Sequence, residues 1–190
     1  TFHILFQIKR VMNSIVKHIA DYAIKAHADT NHYYDKYLPY EFHLRLVAKV
    51  ANEWYDECYP DKIKNHDHKH RNNIMAACFC HDLIEDARQS YNDVLKHSNE
   101  EVADIVFAVT NNAGKTRKER ANDAYYAKIR STPDAIFVKL CDRIANVEYG
   151  ILTKSKMVNV YKEEHAHFIA ELSTNDTRYT PLIQYLNNLY

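Results

Sequence analysis

Seven consecutive residues, Cys80-His81-Asp82-Leu83-Ile84-Glu85-Asp86, hold an imidazole and three carboxylates. On a helix, His81, Asp82, Glu85 and Asp86 fall within an arc of about 140°, one turn apart. They end an apolar run, Ile74-Met75-Ala76-Ala77-Cys78-Phe79-Cys80, and a run that is hydrophobic all round reads as a helix buried on most sides. Carboxylates at the end of such a helix meet the negative end of its dipole. Desolvating them is costly unless they are paired or bind a metal. Breaking local rules in this way is common at functional sites. The chemistry implied is metal binding or acid/base work; the alternative is a solvated, acidic helix terminus.

Two further residues extend the set. His43 lies in the first turns of a helix expected to open at Pro39, and Asp142 lies on the polar stripe of a third, otherwise apolar helix. Two imidazoles and two carboxylates from three helices form a donor set for a divalent transition metal. Such a set leaves positions open for water and substrate, and the ion makes water more acidic.

The elements that must position these residues are legible as helices. Only Gly114, Gly150 and four prolines punctuate the 190 residues, so long helices outweigh hairpins and the expected fold is all-α, in a single domain spanning 1–190. The first helix is expected from Val11 to about Asp29, with Ile15, Ile19, Tyr22, Ala23 and Ala26 on one face. A polar and aromatic loop over 30–38 follows, then the helix from Pro39 through Leu44, Val47, Ala48 and Ala51 to Trp54. Pro60 and the stretch 65–70 form a second loop, in which His66, His68 and His70 read as solvated. Asn99 caps a helix carrying Val102, Ile105, Val106 and Val109. A basic loop with Lys115, Arg117, Lys118 and Arg120 enters a helix bearing Tyr125, Tyr126 and Ile129. Thr132-Pro133 starts the next, which buries Ile136, Phe137, Leu140, Cys141, Ile144 and Val147 opposite Lys139, Asp142 and Asn146, and Gly150 is expected to end it. Helices over about 156–173 and 181–189 complete the chain.

Composition removes some classes of function. Lys and Arg number 25, as do Asp and Glu, so the chain is not built to coat nucleic acid or an anionic membrane. Two isolated glycines cannot make a phosphate-cradling loop or a dinucleotide fingerprint. Cys58, Cys78, Cys80 and Cys141 form no CxxC pair and read as thiols in a reducing cytosol, which implies a cytoplasmic protein. Lys9-Arg10 follows the apolar start instead of preceding it, the wrong order for a secretory signal, and no apolar run reaches transmembrane length.

Three ordered segments carry a resemblance. Ala26-His27 precedes Leu38-Pro39-Tyr40-Glu41-Phe42-His43 and Val47-Ala48. His81 to Asp86 is similar to an HDxxED motif, and Val138 to Asn146 to a KLxDRxxN motif. Together they resemble the HD metal-dependent phosphohydrolases, and within them the hydrolase domain of the RelA/SpoT family and the small alarmone hydrolases, from about residue 14 to the C-terminus. The resemblance implies that His43, His81, Asp82 and Asp142 bind a metal, typically Mn2+. It also implies that Glu85 and Asp86 position and deprotonate the attacking water as general bases, the ion's charge answering the dipole objection. The implied reaction releases pyrophosphate from the 3′ position of ppGpp or pppGpp. Lys139, Asn146 and Tyr40 would lie near the nucleotide, and the loop with Lys115, Arg117, Lys118 and Arg120 near its polyphosphate. No synthetase domain fits in this length.

The sequence departs from that family over Ala28 to Leu38, which lacks the Gly-Gln-x-Arg-like segment and the glycine before Pro-Tyr, and in Leu44, where a proline is usual. Other readings are an HD phosphohydrolase acting on nucleoside monophosphates or NADPH, or a nucleotide-binding regulator without turnover. His27 reads as a capping or loop histidine.

Overall fold

The computed structural model describes residues 13–190. Val11 and Met12 of the expected first helix, and the apolar start with Lys9-Arg10, lie outside the described residues. Helices dominate, with one two-stranded hairpin, so the all-α expectation holds.

Helix α1 spans Ser14–Asp29 and is capped by Asn13, whose side chain accepts from the Ile15 amide. Val16, Ile19, Ala20, Ala23, Ala26 and His27 form its buried face. Ile15 was expected on that face but is 62 % exposed, because it sits in the first turn at the edge of the stripe.

The expected loop over 30–38 contains a small hairpin. β1 (Tyr33–Tyr34) pairs antiparallel with β2 (Leu38–Pro39), with Asp35 at φ 56° between them. Pro39 therefore belongs to a strand and does not open the helix; a two-stranded ribbon is all edge, where a missing N–H is tolerated. Helix α2 spans Glu41–Cys58, and a one-turn helix, α3 (Pro60–Lys64), follows. Helix α4 begins at His68, inside the stretch read as a loop, because the Asp67 side chain caps the His70 amide.

Helix α4 (His68–Cys80) is buried from Ile74 to Cys80 except at Met75, as a run apolar all round requires. It stops there: His81-Asp82 form a turn and a separate one-turn helix, α5, spans Leu83–Asp86. Glu85 and Asp86 thus do not sit on the negative terminus of α4, and the dipole objection raised by a continuous helix does not arise.

Then come α6 (Tyr91–His97), α7 (Glu100–Val109, capped by Asn99), α8 (Arg117–Arg120) and α9 (Asp123–Ser131). Helix α10 (Ala135–Thr153) starts two residues after Pro133, behind Asp134 in a left-handed conformation at φ 63°. It runs past Gly150, which does not end it. A Cβ there would lie 2.7 Å from Val158 Cγ2, so the glycine lets α11 (Met157–Leu172) pack close. A 3₁₀ turn (Thr177–Tyr179) and α12 (Thr180–Asn187) close the chain. Helix α10 is the centre of the packing, against α2, α4, α7 and α11, while α4 also meets α1 and α2. No helix among the described residues is long and apolar enough to cross a membrane. All four cysteines are buried and free.

Candidate metal centre and cleft

Burying Leu44, Val47 and Ala51 turns the same face of α2 inward at His43. The break after Cys80 turns His81 and Asp82 toward it, and α10 brings Asp142 from the opposite wall. His43 Nε2 lies 3.2 Å from His81 Nε2. Asp82 Oδ2 is 2.9 Å from His81 Nε2 and 3.6 Å from His43 Nε2. Asp142 Oδ1 is 3.3 Å from His43 Nε2 and 3.6 Å from His81 Nε2. All four residues are buried or nearly so.

These separations test whether the donors fit a cation. Ligands about 2.1 Å from a common ion and at right angles to each other lie about 3 Å apart, close to what is found. The protonation pattern agrees. His81 Nδ1 faces the Cys78 carbonyl at 2.8 Å; a carbonyl only accepts, so Nδ1 carries the hydrogen and the neutral ring keeps a lone pair on Nε2. Burial opposes a charged His81, yet Asp82 and Asp142 push its pKa up to about 10. The same surroundings hold Asp142 well below the usual carboxylate range: burial opposes this, but Lys139 and both imidazoles outweigh it. Positive charge is demanded at this point. His43, His81 and Asp82 form a group able to hold a metal ion; Asp142 stands outside that group, with its Oδ1 3.3 and 3.6 Å from the two imidazole nitrogens.

Around the donors lies a shell that orients them. Tyr40 donates its hydroxyl to Asp82. Lys139 Nζ lies 2.9 Å from Asp142 Oδ2, and Asn146 Nδ2 donates to Asp142 Oδ1 at 2.6 Å. Tyr34 stacks on His43 with ring centres 4.7 Å apart and donates to Asn146 Oδ1 at 3.0 Å. Lys139, Asn146 and Tyr40, expected near a ligand, thus bind the acidic donors as well as lining the cleft.

The cleft has a volume of about 560 Å³ and opens directly from this centre. Glu85 and Asp86 line it beside Asp82. The Asn111 amide donates to Glu85 Oε2 at 2.9 Å, and Arg120 Nη1 stands 3.5 Å from Oε1. Burial raises both carboxyl pKa values, and the Asp82 charge raises that of Asp86 further. Arg117, Lys118 and Arg120 reach the wall; Lys115 does not, because its loop folds back so that its amide donates to Glu119 Oε2 at 2.9 Å.

Several participants carry no local signal. His27 is buried and not a loop residue: its ring stacks on Tyr40 at 4.3 Å, and its Nδ1 meets His32 Nδ1 at 3.0 Å. Burial lowers its pKa to about 3. His70 is also not solvated, since its Nε2 lies 3.0 Å from Asp134 Oδ2. Tyr34 could have been suspected only from its aromatic loop. Arg143 is visible in the KLxDRxxN segment, but its partner Glu164 is not. No known family model matches the chain, and no curated protein is significantly similar to it.

Proposed function

We propose that the chain is a metal-dependent phosphohydrolase that removes the 3′-pyrophosphate of guanosine tetra- or pentaphosphate, with Mn2+ as its ion. The observation that carries this reading is the convergence of His43, His81, Asp82 and Asp142, with each carboxylate 2.9–3.6 Å from both imidazole nitrogens, beside Glu85 and Asp86 in a cleft with five Lys and Arg side chains. A bound divalent ion would supply Lewis acidity toward phosphoryl oxygens and toward water.

The chain's own residues then have distinct tasks. Glu85 and Asp86 hold the attacking water and take its proton, and their raised pKa values make them stronger bases than ordinary carboxylates. The water oxygen bonds to the phosphorus attached to the ribose 3′-oxygen as the bond to that oxygen breaks. The proton taken by the carboxylate is returned to the leaving 3′-oxygen, giving pyrophosphate and GDP or GTP. Arg120 and Lys139 offset the charge gathered at the phosphate, and Arg117 and Lys118 meet phosphates farther along the cleft.

One observation favours a second reading, an HD-type phosphohydrolase of NADPH or nucleoside monophosphates. Residues 28–38, which differ from the family segment that helps to hold the base, run from the end of α1 into the hairpin and pack Tyr34 on His43 and His32 on Tyr40. A product assay with Mn2+ separates the two readings. Pyrophosphate and GDP from ppGpp, lost on chelation, support the first. Orthophosphate from NADPH or a deoxynucleoside monophosphate, with ppGpp untouched, supports the second. No product from any of them favours a nucleotide-binding regulator.

A further inference from the structure

Beyond the carboxylates of the centre, the cleft is lined by α8, α10 and α11. There Arg143 presents a guanidinium that is almost fully buried, stacked on Phe168 at 4.3 Å and on Tyr161 at 4.7 Å. Arg117, from the basic loop, also lies over the Tyr161 ring, 5.3 Å from its centre. Two guanidinium groups thus contact one aromatic ring inside the same cleft as His43 and Asp142. A single carboxylate binds both. Glu164 accepts from Arg117 in a two-pronged pair, Nε to Oε1 at 2.6 Å and Nη2 to Oε2 at 3.0 Å, and from Arg143 Nη1 at 3.1 Å.

Planar two-pronged pairing is how arginine binds carboxylate and phosphate alike. The geometry in which Glu164 sits is therefore one in which a phosphate oxygen pair would sit equally well. The exposure of the parts is unequal in a useful way. Arg143 is fixed by burial, whereas Arg117 is about half exposed on a four-residue helix and can change partner. A two-pronged pair is worth more than an ordinary exposed ion pair, so a phosphate, with its larger charge, is the kind of group that can take Arg117 from Glu164.

We propose that Arg117 and Arg143 form a second anion subsite at the outer end of the cleft, occupied by Glu164 until a phosphate group of the ligand displaces it. Glu164 then acts as an internal stand-in for phosphate and weakens the binding of every polyphosphorylated ligand. It selects for ligands with a second anionic group far enough from the reacting one to reach Arg117. The inference deepens the hydrolase reading but rests on the cleft, not on the identity of the nucleotide.

The test titrates inorganic pyrophosphate into the full chain by calorimetry, with and without saturating Mn2+, so that the component persisting without the ion reports the outer subsite. Glu164→Gln keeps the shape and removes the charge; its affinity is expected to rise about tenfold, equivalent to ~1.4 kcal/mol. Adding Arg117→Ala in that background should remove the gain. Unchanged or weaker binding by Glu164→Gln would make Glu164 a plain counter-ion for buried Arg143 and overturn the proposal. Should Glu164→Gln fail to fold, Arg117→Ala alone decides, since this half-exposed residue can be truncated safely: parental affinity for pyrophosphate would equally sink the subsite. A gain on Glu164→Gln in a protein inert toward ppGpp would leave the subsite standing and reassign only the nucleotide.

Discussion

With its Nδ1–H committed to the Cys78 carbonyl, His81 can offer only Nε2 to the centre, and the Tyr40 hydroxyl similarly limits how Asp82 can turn. Such contacts typically account for 10- to 100-fold in metal affinity. Tyr40→Phe is therefore expected to weaken Mn2+ binding by about tenfold with the helical fold intact, read by metal titration; unchanged affinity would show that the hydroxyl does not orient the ligand. The roles proposed for the acids separate in the same way. Asp82→Ala should lose both the ion and turnover. Glu85→Gln should keep the ion and lose about 10²–10⁴ in rate, the range of general-base catalysis, since Glu85 lines the cleft one turn away and binds the Asn111 amide instead. Metal content and turnover measured together check this. Equal loss of metal in both variants would refute the division between ligand and base.

At the scale of elements, α10 matters most, and its core face was readable in advance. Ile136, Phe137, Leu140, Cys141, Ile144 and Val147 recur at helical spacing and are all buried. That periodicity also placed Lys139, Asp142 and Asn146 on a common stripe. The end of α10 was not readable, because a glycine in a helical pattern can mark either a stop or a close approach. At Gly150 it is the second: an added Cβ would lie 2.7 Å from Val158 Cγ2. Two effects compete in Gly150→Ala. Helix propensity favours alanine by about 1 kcal/mol, while overpacking against a stiff β-branched side chain costs about 1–3 kcal/mol. A net destabilisation of about 1 kcal/mol is expected in denaturant unfolding. In a Val158→Ala background the clash is gone and the same substitution should stabilise. A destabilisation of equal size in both backgrounds would show that Val158 is not the obstacle. The hairpin over 33–39 was hidden for another reason, since two-residue strands are too short to display alternation. The break at His81-Asp82 was hidden because an arc on a continuous helix and a turn between two helices can bring the same side chains together.

At the scale of the whole molecule, distant segments are joined by polar contacts that leave no mark in local spacing, as with Arg117 and Glu164, 47 residues apart. Another such network lies outside the cleft. Tyr55 donates to His70 Nδ1 at 2.6 Å, and His70 Nε2 donates to Asp134 Oδ2 at 3.0 Å. Tyr59 donates to Asp134 Oδ1 at 2.9 Å. Helix α2, the start of α4 and the entry to α10 are thereby tied at one point, and α2 and α10 both carry residues of the candidate metal centre. Burial alone would raise the Asp134 pKa, but the bonds from His70 and Tyr59 outweigh it and hold the carboxyl below its ordinary range. The unfolded chain, with an aspartate pKa of about 3.9, therefore takes up this proton at a higher pH than the folded one. The stability that Asp134 contributes is complete above that value and is lost as pH falls through the depressed folded pKa. Asn tolerates the left-handed conformation found at this position, so Asp134→Asn removes the charge without straining the backbone. The variant should be less stable by about 1–3 kcal/mol at neutral pH, the range for charge-assisted bonds. The gap to the parental protein should narrow as pH drops below about 4, because the parental protein then loses what the variant never had. Unfolding curves at several pH values would show it; a gap constant down to pH of about 3 would mean that the depressed aspartate contributes nothing to holding α2, α4 and α10 together.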